Sequence, residues 1–156
     1  RRWPSVCASR FTPEGSSQQR WRTPLRKALD WLAHEVCLLY ERATSEQGLD
    51  PWRTRDTATV WDRVMHRDPR LNRLLDMDRN AQRALTSCAW FFDDFGGLEG
   101  RQVLRYASRA IALSGGEAPR LEAGFLERLE GCVSNDPKVG SARDWYRTTI
   151  RPERVA

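Results

Sequence analysis

A chain of 156 residues and 18.1 kDa has the size of one ordinary domain, long enough to bury roughly 68–70% of its unfolded surface without a metal or disulfide staple. Hydrophobic residues at 40%, charged residues at 30% and a mean hydropathy of -0.68 exclude a disordered chain. No run approaches the ~18 apolar residues of a membrane-spanning helix. The net charge is +5, yet Lys27 and Lys138 are the only two lysines among 26 basic residues, and the arginines alternate with acids, as Arg73, Arg79 and Arg83 do with Asp76 and Asp78. Such interspersed charge describes solvated helical faces and argues against nucleic acid, which selects a concentrated basic stripe. Composition alone does not say what the chain does.

Residues 1–22 are expected to form an irregular lead-in, with Pro4, Pro13 and Gly15 among polar residues. Arg1-Arg2-Trp3-Pro4 offers neither an initiator Met nor an apolar signal core, so the chain is expected to be a piece of a longer one. Residues 23–156 read as one helical domain. Thr23-Pro24 supplies an N-cap and a first-turn proline, and Leu25, Leu29, Leu32, Val36 and Leu39 then recur at helical spacing to about Arg42. Asp50-Pro51 repeats the start signal and predicts a helix through Val60, Trp61 and Val64.

Asp68-Pro69 repeats it again. Leu71, Leu74, Leu75, Ala81, Leu85, Cys88 and Phe92 predict one long helix from there to about Phe95-Gly96-Gly97. Val103, Leu104, Ala107, Ile111 and Ala112 mark a helix over 98–114 that stops at Gly115-Gly116. Pro119 opens a fifth, with Leu121, Phe125, Leu126 and Leu129, and a short last helix falls around Trp145-Tyr146 before Pro152. No alternating β-pattern of useful length occurs. The expected fold class is all-α, a bundle of about five to six helices with short connections.

Cys7, Cys37, Cys88 and Cys132 form no C-x-x-C pair, as expected of reduced, buried thiols in a cytoplasmic protein. His34 and Cys37 share a helix face, but with His66 as the one other histidine a metal site is not expected. No cofactor-binding or hydrolase motif is present.

The densest cluster is Thr86-Ser87-Cys88-Ala89-Trp90-Phe91-Phe92-Asp93-Asp94-Phe95-Gly96-Gly97. Successive helical side chains are rotated by about 100°, so Trp90, Phe91 and Phe92 cannot all face one core. Two readings stand side by side. In one, Asp94 N-caps the next helix, Asp93 pairs with an arginine and the glycines supply the turn. In the other, the rings stack on sugar faces while the carboxylates accept hydroxyl hydrogen bonds. Adjacent Asp93 and Asp94 diverge on a helix and make a poor catalytic dyad, and Cys88 falls on the apolar face as a buried structural thiol. Trp21, between Arg20 and Arg22, either anchors the lead-in on the bundle or docks onto a neighbouring domain or ligand. Trp52 is expected to cover the bundle end.

These clusters carry a family resemblance. Gln18-Gln19-Arg20-Trp21-Arg22-Thr23-Pro24-Leu25-Arg26, Ala28-Leu29-Asp30-Trp31-Leu32, Asp50-Pro51-Trp52 with Arg55-Asp56, and Thr86 to Asp94 resemble a bacterial domain of unknown function, number 3536. Gln102 to Ala107, Arg109-Ala110, and Ser134-Asn135-Asp136 with Gly140, Arg143, Tyr146, Arg151 and Pro152 extend the likeness from about residue 18 to the end. The chain departs from the pattern at Ala89, where the family has Gly, and in residues 1–17, which keep Cys7 but no His.

The resemblance implies an accessory helical domain following a family-57-type glycoside hydrolase barrel in one polypeptide. The barrel would hold the catalytic nucleophile and acid, and the helices would support it and help line a cleft for α-glucan. On that analogy Trp90, Asp93, Asp94 and Trp21 are the candidate substrate-binding residues. No residue of this chain is expected to be catalytic, and no cofactor or metal is implied. The expected partners are the barrel of the same polypeptide and α-glucan, with no membrane and no nucleic acid. The alternative is a purely structural or oligomerising bundle without a ligand.

Overall fold

Leu25, Leu29, Leu32 and Val36, joined by Ala28, Ala33, Tyr40 and Thr44, line one buried stripe of helix α1 (Arg22–Ser45), the period that places every third or fourth side chain on one face. The computed structural model describes residues 18–58 and 68–151. After α1 come α2 (Pro51–Thr57), α3 (Pro69–Arg83), α4 (Leu98–Leu113), α5 (Ala118–Arg128) and the short α6 (Ala142–Trp145), which continues as a π-type turn over Tyr146–Ile150. The protein is all-α: the described residues contain no strand, only an isolated antiparallel bridge between Val133 and Ser141.

The long helix α1 forms the spine of the bundle, packing against α3 on one side and α5 on the other, while α3 and α4 make the most extensive pair. Val103, Leu104, Ala107, Ala110 and Ile111 from α4 meet Leu75, Met77 and Ala81 from α3 in one core with Leu121 and Phe125 from α5. None of the described helices is long and apolar enough to cross a membrane.

Two of the aspartate-proline starts act as caps. Asp50 accepts the Arg53 N–H at 2.8 Å and Asp68 the Arg70 N–H at 3.0 Å, each with proline in the first turn. Thr23 does not: α1 begins two residues earlier, with helical Trp21 in the capping position and no side-chain cap. Pro24 therefore sits in the first turn, where a missing N–H is no loss. The helix opened by Pro51 closes at Ala58, and Val60, Trp61, Val64 and His66 lie outside the described residues, as do Cys7 and the rest of 1–17.

The long helix expected from Pro69 to Phe95 is two elements. Helix α3 stops at Arg83, Thr86 turns extended, and Ser87–Trp90 forms a single 3-10 turn. The segment beyond the break is held against α1. The carbonyls of Trp90 and Phe92 accept the Arg22 guanidinium at 2.8 and 3.2 Å, and that of Asp93 accepts Trp21 Nε1–H at 3.0 Å. Carbonyls engaged by side chains of α1 and its lead-in need no helical N–H partner.

Trp52 does not cover the bundle end; it is 55% exposed and carries the Arg55 guanidinium 4.6 Å from its ring centroid. Arg55 also lies 5.1 Å from the Tyr40 ring centroid and pairs at 2.9 Å with buried Asp78 of α3, tying α2 to the spine. Burial pushes the Asp78 carboxyl above the usual range, with Arg55 pulling the other way.

Removing the cation leaves a buried charge alone. Arg55→Leu is expected to lose about 2–4 kcal/mol at neutral pH, reduced from the fully buried case by the partial exposure of Arg55. Because the folded pKa of Asp78 lies above the unfolded one, its ionisation opposes folding as pH rises through the folded value. The deficit should therefore shrink as pH falls toward about 4, the ordinary carboxylate range. Urea midpoints of wild type and variant at pH 7 and pH 5 check this, and an equal gap at both values contradicts it.

Candidate functional site

The segment after α3 is held by a clamp of rings. Trp21 and Trp90 are both fully buried and stack with centroids 5.7 Å apart and planes 9° from parallel. Phe95 meets Trp21 edge-on at 5.9 Å, and Trp145 of α6 lies 5.9 Å beyond Phe95. Each buried tryptophan removes some 150–250 Å² from water, and offset or edge contacts add to that burial.

A second layer is polar. The Asp94 carboxylate accepts the Gly96 N–H at 2.6 Å, the Ser134 hydroxyl at 2.7 Å and the Asn135 N–H. The Asn135 side-chain amide donates to the carbonyls of Gln18 and Asp93 at 3.0 and 2.9 Å, while its oxygen accepts the Gln18 N–H at 2.8 Å. Residues 18–21, the segment 90–96 and the loop 132–136 are thus one stitched unit. Beneath it lies Cys132, its thiol held well above the ordinary range by burial, with the Asp94 charge adding to the effect.

The four candidate residues therefore separate. Trp21 and Trp90 face the core, and their rings are occupied by each other. Asp94 is half-buried and engaged by three donors, so it neither caps α4, whose N-cap is Gly97 without side-chain help, nor offers a free carboxylate. Asp93 is exposed, and among the described residues its carboxylate has no arginine within ion-pair distance. Within this segment the aromatic side chains that reach solvent are Phe91 at 63% and Phe92 at 47% exposure, with Leu98 at 73% beside them in sequence across the glycine turn.

Cys88 is exposed rather than buried, because the chain leaves the helix before it. His34 is exposed and Cys37 half-buried, and no group of three or more His, Cys, Asp or Glu among the described residues is placed to hold a metal ion.

Sequence reasoning missed Ser134, Asn135 and Gln18 as partners of the aspartate segment, since their bonds span more than a hundred residues in the case of Gln18. The signal was the polar Ser-Asn-Asp string itself, which has no local helix to cap. It also missed the cleft of about 530 Å³ next to the segment, lined by Arg83, Cys88, Leu98, Glu99, Gln102 and Tyr106 among others.

With Asp94 engaged by three donors, the adjacent Asp93 and Asp94 do not form the two-carboxylate pair of glycosidic cleavage. The exposed Phe92 ring can present a flat apolar face. A family model described as "Domain of unknown function (DUF3536)" matches residues 18–70 and 63–156. No curated protein and no solved structure matches the sequence.

Proposed function

Starting from the chain's membership of the DUF3536 family, we propose that it is an accessory helical domain of a family-57-like glycoside hydrolase acting on α-glucans, buttressing the catalytic barrel and lining its substrate cleft. The observation that carries this reading is the exposure of Phe92 on a backbone held by the Trp21–Trp90 stack and by Asp94. Exposed aromatics on a mobile loop would fold inward; here the neighbouring carbonyls are engaged by α1, so the rings stay out. Stacking surfaces of this kind suit the C–H faces of sugar rings, and Asp93 beside them suits hydroxyl donors. Trp21, Trp90 and Asp94 act by shaping the face, and Phe91, Phe92 and Asp93 by contact. Catalysis belongs to the barrel.

The test is calorimetric titration of maltohexaose into the polypeptide that carries both the barrel and this domain. Wild type is expected to bind and Phe92→Ser to bind at least about fivefold more weakly, a loss of about 1 kcal/mol. Absence of binding and of turnover on α-glucans by the wild type removes the substrate assignment.

A second reading has its own support. Trp21, Trp90 and Asp94 are consumed by internal contacts, as a purely structural or oligomerising bundle requires. It predicts that Phe91 and Phe92 are covered by another copy, giving concentration-dependent sedimentation that Phe92→Ser abolishes, with glucan without effect.

A further inference from the structure

We propose that the cleft between the end of α3 and the first two turns of α4 is a binding subsite for a single uncharged sugar ring. This deepens the α-glucan reading above and rests on it.

The cleft is built from one stripe of α4. Leu98, Glu99, Gln102, Val103 and Tyr106 lie at helical spacing, so they line a common wall. Facing them are Arg83, the last residue of α3, and Thr86 and Cys88 from the turn that replaces the rest of the expected helix. The cleft exists because α3 ends at Arg83; a helix continued to Phe95 would have no turn there to form the opposite wall.

Its volume, about 530 Å³, falls in the range of about 300–1,000 Å³ usual for small-molecule sites. The lining mixes two chemistries in the proportion a sugar ring presents. Leu98 and the Tyr106 ring are apolar surfaces for C–H groups. Around them Arg83 donates, Glu99 accepts and Gln102 does both, which matches the alternating donors and acceptors of neighbouring hydroxyls. The one cation and one anion of the wall balance, so no net charge selects a phosphate or another anion. The Arg83 guanidinium lies 5.8 Å from the Tyr106 ring centroid, which holds it against the wall.

Exposed Cys88 is a native reporter of occupancy, while buried Cys132, whose thiol is pushed up by burial, is an internal reference. The experiment measures iodoacetamide labelling of the Cys88 peptide by mass spectrometry on the full chain, with maltohexaose, with inorganic phosphate and with neither. Calorimetry under the same conditions reports total binding. Maltohexaose is expected to slow Cys88 labelling at least fivefold, and Gln102→Ala and Glu99→Gln, both on the half-buried surface of α4, are expected to abolish that protection while the melting temperature stays put.

Maltohexaose binding by calorimetry with unchanged Cys88 labelling overturns the subsite and leaves the glucan reading standing. Protection by phosphate alone overturns the uncharged-sugar assignment. No maltohexaose binding by either readout overturns the subsite, and the reading it rests on falls with it when turnover of α-glucans is absent as well.

Discussion

Gly100→Ala is expected to lower the melting temperature by roughly 6–12 °C, taking a loss of about 3 kcal/mol and ~2–4 °C per kcal/mol for a chain of this size. Gly100 stands in the first turn of α4, where alanine would ordinarily favour the helix by about 1 kcal/mol. Here a Cβ would collide with the Phe95 carbonyl oxygen and sit 2.6 Å from its carbon. Those are backbone atoms, and Phe95 is locked between Trp21 and Trp145, so neither side can give way without disturbing the ring cluster. Gly116 provides the control: nothing lies within 4 Å of its Cβ position, and Gly116→Ala should stabilise by about 0.4–1 kcal/mol. Thermal melts of the two variants settle the matter. A Gly100→Ala protein as stable as wild type contradicts the close approach of α4 to the aspartate segment.

The second large effect separates the two stacked tryptophans. Either one changed to alanine should cost about 3–5 kcal/mol, a large share of the ~5–15 kcal/mol available to a domain. Phenylalanine tells them apart. The Trp21 indole N–H donates to the Asp93 carbonyl at 3.0 Å, whereas that of Trp90 is buried and meets no acceptor among the described residues. Trp21→Phe loses ring volume and also leaves a carbonyl one donor short, for about 2–3 kcal/mol in all. Trp90→Phe loses similar volume but relieves an unsatisfied buried donor, whose penalty is about 1–3 kcal/mol, so it should fall within about 1 kcal/mol of wild type. Urea unfolding monitored by far-ultraviolet circular dichroism gives both values. Equal losses for the two phenylalanine variants would show that the Trp90 N–H has found a partner.

The contrast also shows what a sequence discloses and what it hides. The apolar period of α1, the aspartate caps at Asp50 and Asp68, the α4 stripe from Val103 to Ile111 and the start of α5 by Pro119 are local, each set by contacts within a few residues, and all are legible from the chain. The break after Arg83 is not. The apolar spacing of Leu85, Cys88 and Phe92 continues the helix on paper, and the segment beyond the break is instead held through three carbonyls by Arg22 and Trp21, some seventy residues away.

The same holds for the candidate site. The sequence located the segment, because three aromatics in a row cannot share a core, but it could not say which of them turned outward. That choice was made by Trp21, which pairs with Trp90 and leaves Phe91 and Phe92 outside. Asp94 was hidden in the same way, since its partners Ser134 and Asn135 come from the far end of the chain.

At the centre of the account is a division of labour within five residues, Trp90 inward for stability and Phe92 outward for contact. The most direct measurement pairs a thermal melt with a maltohexaose titration of Phe92→Ser in the full-length protein. The account predicts a melting temperature within about 2 °C of wild type, as for a surface substitution of under about 0.5 kcal/mol, with glucan affinity weakened at least fivefold. A variant that melts as early as Trp90→Ala, or that binds maltohexaose as wild type does, contradicts it.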